Sequence, residues 1–498
     1  YELRAEHAGF KTEVRSGLAL SVSQEVVMNI ALEIGAVEQT VAVTAEAPLV
    51  NTTSGALGGL VDQEKIADLP LNGRNYIDLT LLQSGVSQHK NRNPSAVTAG
   101  VWFSSNGAPL RSNNMLLDGA PIQNIFAAHS ASIAGNTLGI DGIREYRVVT
   151  NGFGAEYGLT MGSQMVIVSR GGTNSFHGSL FDYLRNSALD ARNFFDRKTA
   201  AAPFRLPPFR RNNFGGSLGG PIQKDRLFFF AVYEAIRERL GVSQLNNVIP
   251  TAAKLDGGVV PTISPVIRPL LSLFPEPNLP NNQYTYSFTQ PTQEDYGQLR
   301  IDHTFSEKDS IFGRFTADDN SLTVPLAYPQ FKSLRTSTSR YGTFAEDHIF
   351  SPLLLNSLRF SFSNTDLLAE SPSGISGPQF SFVPGQEIGG TPITGITAFG
   401  PDGVTPIHHY QKILTWSDDL FHTRGDHSFK YGALVNYFKQ YVQASTNIRG
   451  AVNFPSLARF LTAEQPNSVQ AATPGSILFR EYRYKTVGLY LQDDWRVR

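Results

Sequence analysis

Cysteine is absent from the 498 residues, which excludes disulfides, thiolate zinc sites and thiol nucleophiles together. No run of about 18 apolar residues occurs, so a transmembrane helix is excluded, whereas barrel strands of ~9–11 residues with alternating polarity would pass unnoticed under that test. An excess of either charge is also missing. The formal net charge is -1, from 42 Lys and Arg against 43 Asp and Glu, which argues against a general nucleic-acid binder. The chain opens at Tyr1 with neither an initiator Met nor a signal peptide, inside an alternating pattern, so both ends are expected to be internal to a longer protein.

What is present divides around one stretch, Asp141 to Asn174. Ile143 to Thr150 and Gln164 to Ser169 have strand composition, glycines at 152, 154, 158 and 162 separate them, and Gly171-Gly172 follows as the expected hinge into the first barrel strand. Upstream the chain reads as a small mixed α and β unit. Downstream it reads as strand after strand. A chain this long is expected to hold at least two units.

Residues 1–34 alternate, with Tyr1, Leu3 and Ala5, then, after Gly9-Phe10, Val26, Met28, Ile30 and Leu32. That predicts a half-buried antiparallel sheet too small to stand alone. It resembles the closing strands of the carboxypeptidase-regulatory-like sandwich, a transthyretin-like module that implies no peptidase activity, and residues 1–37 contain no His-Glu metal-ligand spacing. Residues 38–50 form a β-prone linker stopped by Pro48. Its centre, Thr40-Val41-Ala42-Val43-Thr44-Ala45, resembles a TonB box, the extended segment that a TonB partner takes up as an added strand. The other reading open here is the last strand of the sandwich followed by a linker.

For residues 51–172, Gln63 to Asp68 is a predicted helix stopped by Leu69-Pro70. Leu71 to Arg74 is a turn, and Asn75 caps a second helix closed by Gly85. Three ordered motifs, Leu69-Pro-Leu-Asn72-Gly73-Arg74-Asn-Tyr76, Arg111-Ser-Asn-Asn-Met-Leu-Leu-Asp118-Gly119 and Gly154-Ala-Glu-Tyr-Gly158, resemble the plug of Oar-like TonB-dependent receptors. Independently of the resemblance, Leu117-Asp118-Gly119 ends an apolar run with residues suited to a tight turn. Arg111 could pair with carboxylates on the plug or the barrel wall. Asn72, Gly73, Arg74, Arg111, Asp118 and Gly119 are therefore the candidate site, with plug packing as their more ordinary role. The glycines at 152–162 lack both the dinucleotide and the phosphate-loop pattern.

Residues 173–498 show period-two alternation, as in Leu358, Phe360 and Phe362 against Arg359, Ser361 and Ser363, or Val487, Leu489 and Leu491 against Thr486, Tyr490 and Gln492. About ten strands are predicted, near 174–185, 210–219, 225–237, 293–305, 310–318, 340–350, 356–366, 410–421, 427–439 and 483–495. Tight turns are placed at Gly220-Pro221, Ser306 to Asp309, Ser351-Pro352 and Thr423 to Asp426. Long connections fall at 186–209, 238–292, 319–339, 367–409 and 440–482. Strict alternation of short and long connections is the pattern of an outer-membrane barrel. The aromatic share of 11%, with 33 Phe, suits a lipid-facing surface. Phe214-Gly-Gly-Ser-Leu-Gly-Gly-Pro-Ile222, Ala188 to Phe195 and Gln492-Asp-Asp-Trp495 resemble Oar-type barrel openings. Receptors of this kind have roughly 22 strands, so about ten amount to part of a barrel.

Several patterns tempt a catalytic or metal assignment. Gly215-Gly216-Ser217-Leu218-Gly219 fits the nucleophile pattern G-x-S-x-G without the strand, turn and helix it needs. His408-His409 and Asp318-Asp319-Asn320 are weak metal signals, and Arg424-Gly425-Asp426 spells an adhesion tripeptide at a predicted turn. The fold expected is mainly β: a partial transmembrane antiparallel barrel with a small α+β plug and the end of a transthyretin-like sandwich. The resemblance implies an outer-membrane receptor of a Gram-negative bacterium, not an enzyme, with the sandwich and plug tether periplasmic. TonB, outer-membrane lipid and an unknown small solute, glycan or peptide are its implied partners. No cofactor, metal or nucleic acid is expected. A structural or adhesive surface protein with no uptake role is the competing class.

Overall fold

The computed structural model describes residues 3–18, 20–22, 28, 30–35, 40–44, 56–69, 71–89, 102–125, 132, 138–158, 160–190, 208–444, 446–473 and 475–497. Among these no helix is long and apolar enough to cross a membrane.

The N-terminal strands β1 (Leu3–Ala5), β2 (Thr12–Ser16) and β3 (Thr40–Thr44) form one sheet in that order. Leu3 stands opposite Arg15 in an antiparallel pair, but Thr12 to Ser16 run parallel to Thr40 to Thr44. Within residues 1–34 the pairing is antiparallel as expected, and the segment 40–44 adds to that sheet as a parallel strand. Residues 28 and 30–33 carry no strand, and Ile34 makes only a bridge to Phe10.

The next unit is a five-stranded sheet. It begins with β4 (Leu57–Val61) and helix α1 (Gln63–Asp68), whose first turn is capped by Asp62 through Lys65 N at 2.9 Å. The second expected helix is 3₁₀, Tyr76–Leu82, with Asn75 Oδ1 accepting from Ile77 N at 3.3 Å. It ends at Gln83 rather than Gly85, because Gly85 with φ +79 serves the following turn into β5 (Val86–His89). β5 pairs with β6 (Trp102–Ser105). Then come β7 (Asn114–Leu117), β8 (Ala120–Pro121), β9 (Ile143–Asn151) and β10 (Gln164–Ser169), giving the order β4-β9-β10-β7-β8. The two strand assignments on either side of the glycine run hold, and β9 and β10 are neighbours at the centre. Asp118 and Gly119, at φ 47 and 82, make the two-residue turn between β7 and β8, the left-handed pair that an Asp-Gly hairpin favours. Ile77, Phe103, Met115, Tyr146, Val148, Met165 and Ile167 fill the core.

Ten long antiparallel strands curve around this unit: β11 (His177–Asn186), β12 (Phe209–Gln223), β13 (Leu227–Asn247), β14 (Gln283–Thr304), β15 (Asp309–Pro325), β16 (Lys332–Ser351), β17 (Leu354–Glu370), then, after a small hairpin of β18 (Thr391–Ile393) and β19 (Ile396–Phe399), β20 (Ile407–Arg424) and β21 (His427–Ala444), and after β22 (Ala451–Asn453) and β23 (Ser468–Gln470), β24 (Phe479–Trp495). All ten were expected, but most are longer at the end carrying the long connections. Gly220 and Pro221 lie inside β12, and the turn falls at 224–226, where Asp225 takes φ 64. The connection expected at 319–339 shrinks to 326–331. In β15 and β16 the strands continue through Asp318 to Ser321 and Arg335 to Arg340 with polar residues on both faces, so composition there looks like loop while backbone pairing persists.

One face of the wall is polar and turned to the inner unit. Registered rows run Arg300, Arg314, Thr343, Ser361, Thr415, Asn436, and above it Tyr296, Asp318, Ser339, Thr365, Gln411. The opposite face carries exposed Leu299, Ile301, Phe315, Phe344, Leu358, Phe360, Trp416 and Leu489. Beyond the strand ends, the connections 248–282, 326–331, 371–406 and 445–478 pack into a second core that includes Ile263, Leu271, Phe274, Tyr328, Phe331, Ile388, Phe399 and Phe460.

Candidate functional site

The inner unit meets the wall through a few discrete polar contacts, and two are ionic and of opposite sense. Asp118, at the β7-β8 turn, is buried. Its Oδ2 accepts from Arg314 Nε of β15 at 2.6 Å and from Ser169 Oγ at 2.7 Å, and its Oδ1 accepts from Ser169 N at 2.9 Å. Arg300 of β14 stands 3.8 Å away. Burial alone would raise the Asp118 pKa; the Arg314 and Arg300 guanidiniums and the two Ser169 hydrogen bonds outweigh it and hold the carboxyl below the usual range. Arg314 also donates to the Leu117 carbonyl at 2.9 Å. One wall guanidinium thus grips both backbone and side chain of the turn. The neighbouring Gly119 is required for φ +82 and for room, since a Cβ there would lie 2.5 Å from Arg359 Cδ of β17.

The second contact reverses the charges. Arg74 of the inner unit donates to Asp141 Oδ1 at 2.7 Å and to Glu234 Oε1 of β13 at 3.2 Å. Its guanidinium lies 3.9 Å from the Phe181 ring centre of β11, and Glu234 Oε2 accepts from Gly139 N at 3.0 Å. Arg74 is positioned by Gly73, whose φ of 76 sits within the 3₁₀ turn Asn72–Arg74. Further hydrogen bonds add to the set: Gln298 Nε2 to the Gly142 carbonyl at 3.1 Å, Tyr341 OH to the Ile122 carbonyl at 3.2 Å, Gln411 Nε2 to the Gln123 carbonyl at 3.1 Å, Ser179 Oγ to Asp141 Oδ2 at 2.8 Å, Arg300 Nη1 to Ser169 Oγ at 2.8 Å and Ala155 N to Gln492 Oε1 at 2.7 Å.

Two apolar contacts add to these: Tyr341 of β16 joins the core of the inner unit, and Leu138 packs against Phe230, Val232 and Ile236 of β13 and Tyr296 of β14. A buried ion pair gains little net stability because desolvation offsets its attraction, yet losing one partner strands a buried charge. Beside the seat, a cavity of about 930 Å³ separates the inner sheet from β17, β20, β21 and β24, lined among others by Arg147, Glu156, Arg359, Asp419, Lys430 and Tyr490. An open space of mixed polar and apolar lining next to a largely polar seat suits an inner unit that shifts.

Of the residues singled out from sequence, Arg74, Asp118, Gly73 and Gly119 converge on this interface. Arg111 stays on the inner unit, its guanidinium 5.9 Å from the Trp102 ring centre of β6. The Asn72 side chain and Ala45 lie outside the described residues, as does the motif segment 191–195. Thr40 to Thr44 are paired with β2 on one edge, so the segment is not free-standing. Gly171-Gly172, expected as a hinge, is pressed to the wall, where a Cβ on Gly172 would come 2.4 Å from the Phe229 carbonyl.

The tempting patterns resolve by strand parity. His408 points outward, 2.9 Å from Asp366, while His409 is buried on the inward face, so the pair cannot share a metal. Asp318 and Asn320 face inward and Asp319 outward, where Arg340 holds it at 2.8 Å. They lie in mid-strand β15 rather than at a loop mouth. Gly215 to Gly219 are continuous strand. No group of three metal-ligating side chains occurs among the described residues. Sequence reading missed the wall partners Glu234, Arg300 and Arg314. The signal was there in principle, since each is a charge on the inward parity of a strand, but parity does not say which one meets the inner unit.

Residues 168–498 match the family model of the outer membrane beta barrel domain. The TonB-dependent transporter Oar of Myxococcus xanthus is 28% identical over 240 residues, 46% of this chain and 21% of that protein. The outer membrane transporter YddB from Escherichia coli superposes with a TM-score of 0.56 at 12% identity, covering 88% of this chain and 54% of that one. A mutant of the ferric enterobactin receptor PfeA from Pseudomonas aeruginosa gives 0.50 at 11%, covering 89% and 55%. The structural likenesses speak to the fold alone. The chain spans about half the length of these solved structures, and its match spans about a fifth of the curated relative.

Proposed function

Because the chain belongs to the outer membrane beta barrel domain family and so resides in the outer membrane of a Gram-negative bacterium, we propose that it is part of a TonB-dependent receptor that admits a solute past a movable plug. In this reading residues 51–172 are the plug, 173–498 contribute strands to the barrel, 1–37 close a sandwich of the carboxypeptidase-regulatory-like kind, and 38–50 carry the TonB contact. The observation that carries it is the seat of the inner unit: a registered polar wall holding a separately cored unit by the Asp118–Arg314 and Arg74–Glu234 pairs. A barrel serving only as an anchor has no use for an inner unit with its own core. The relatives are a transporter and receptors rather than enzymes, and no chemistry on the solute is invoked.

Thr40 to Thr44 occupy the outer position of the N-terminal sheet, with one edge on β2. Strand addition by TonB would use the other edge, where main-chain bonds supply affinity. Deletion of residues 40–45 from the full-length protein is expected to abolish accumulation of the solute while leaving binding to whole cells intact. Unchanged accumulation would contradict this contact.

One observation favours a second reading, a surface protein that binds partners without uptake. The external connections own a core that includes the stacked Phe274 and Phe399, 4.2 Å apart, which is more order than a passive loop needs. Loss of attachment with intact uptake on removing residues 371–406 would support it.

A further inference from the structure

Near the middle of the wall, three neighbouring strands carry a block of polar side chains on their inward face. The inward parity is set by Gln298 of β14, Arg314 of β15 and Tyr341 of β16, which all reach the inner unit. By period-two alternation the same face then carries Tyr296 and Glu294, Asp318 and Asn320, and Ser339 and Ser337. The register joins them in two rows, Glu294, Asn320, Ser337 and Tyr296, Asp318, Ser339. None of the six is more than 8% exposed. Wall strands continue on both sides of the block, so it borders no edge of the sheet.

Burial here leaves acceptors without donors. Asp318 Oδ1, Asn320 Oδ1 and Ser339 Oγ are buried and have no hydrogen-bond partner among the described residues. Asn320 Nδ2 donates to Ser337 Oγ at 2.7 Å, which turns the orphaned Oδ1 away from β16. Arg340, next to Ser339, lies on the outward face and holds Asp319 at 2.8 Å, so among the described residues Asp318 has no ion-pair partner. Glu294, the diagonal neighbour of Asp318 at roughly 7–8 Å between backbones, adds a second carboxylate to the same face. An orphaned buried acceptor costs free energy, and a buried charge without a counter-charge costs more. Water could donate to Asn320 and Ser339 but would leave the charge, whereas a cation answers both.

We infer that Asp318, Glu294, Asn320 and Ser339 hold a Ca²⁺ ion on the inward face of the wall. Carboxylate, amide carbonyl and hydroxyl oxygens are hard donors, and no nitrogen or sulfur ligand stands among them. They approach from one side on three strands, which suits the loose coordination of Ca²⁺, completed by water, better than the strict octahedron of Mg²⁺. With two carboxylates the set falls short of a cluster of three acidic or histidine side chains, and the amide and hydroxyl oxygens supply the rest. The inference rests on strand register and burial and is independent of the uptake reading.

The test uses the full-length protein purified in mild detergent, freed of divalent ions with a chelator and dialysed against Ca²⁺, with bound Ca²⁺ counted per protein by atomic emission. Wild type is expected to bind one Ca²⁺ more than Asp318→Asn/Glu294→Gln, which keeps the side-chain shapes and removes both charges. Asp319→Asn, on the outward face, is expected to bind as wild type does, and Asn320→Asp to keep the ion. Should the double variant fail to reach the folded electrophoretic mobility, Ser339→Ala is expected to weaken Ca²⁺ binding about tenfold. Equal Ca²⁺ counts in wild type and the double variant, unchanged affinity in Ser339→Ala, loss of the ion in Asp319→Asn or Asn320→Asp, or its displacement by equimolar Mg²⁺ would each overturn the inference.

Discussion

The molecule has two apolar cores that relate to the wall in opposite ways. The inner core, around Met115, Tyr146 and Ile167, belongs to one compact unit, and that unit touches the wall through ion pairs, single hydrogen bonds and two small apolar contacts, at Tyr341 and at Leu138. The external core, around Phe274, Tyr328 and Phe399, is assembled from four separate connections whose ends are the wall strands themselves. A unit seated largely by polar contacts gives up little apolar burial on leaving, chiefly that of Tyr341 and Leu138. A core shared among strand connections cannot move without dragging the strands, so in the proposed reading the external assembly is the fixed part and the inner unit the displaceable one.

The contrast can be broken by mutation. Phe399→Ala removes a ring that is 2% exposed and meets Phe274, Tyr328 and Phe331 at 4.2, 4.9 and 5.0 Å. A loss of about 3–5 kcal/mol is expected for such a cavity, seen as protease cleavage within 371–406 while the wall keeps its folded electrophoretic mobility. Arg314→Ala should cost the seat about 3 kcal/mol, because Asp118 stays buried without its partner. Urea titration of the inner unit reads this directly, and the external connections should be unaffected.

Acid should act on the same seat with a predictable sign. The folded Asp118 pKa is depressed, so its contribution is complete above the unfolded carboxylate value of about 4 and is lost as pH falls through the lower folded value. Release of the inner unit between pH 4 and more acidic conditions, absent in Asp118→Asn, would sharpen the contrast. Gly119→Ala is expected to cost somewhat more than about 1 kcal/mol, since φ is +82 and Arg359 occupies the space. Asn75→Ala should lower inner-unit stability by about 1 kcal/mol through loss of the cap on Tyr76–Leu82, the smallest effect of the set.

What could be read from sequence follows the same division. The ten wall strands were legible because period two persists where one face meets lipid and the other meets water. Their external ends were not, because Asp318 to Ser321 and Arg335 to Arg340 alternate nothing apolar and pairing there is supported by neighbours. The Asp118-Gly119 turn was legible from two residues. Its partner Arg314 was not, since it lies 196 positions away and resembles any other inward-facing cation. The external core was invisible for the same reason, as Phe274, Tyr328, Phe399 and Phe460 come from four connections and show no common period.

The displaceable seat is tested most directly with a single cysteine at Ser361, a wall residue 1% exposed and in the same inward row as Arg314, in a full-length protein kept otherwise free of accessible thiols. Its maleimide labelling is followed against urea alongside the electrophoretic mobility of the folded barrel. The account predicts labelling at a urea concentration well below that which unfolds the barrel, and lower still with Arg314→Ala. Labelling that appears only together with barrel unfolding, and does not move with Arg314→Ala, would contradict it.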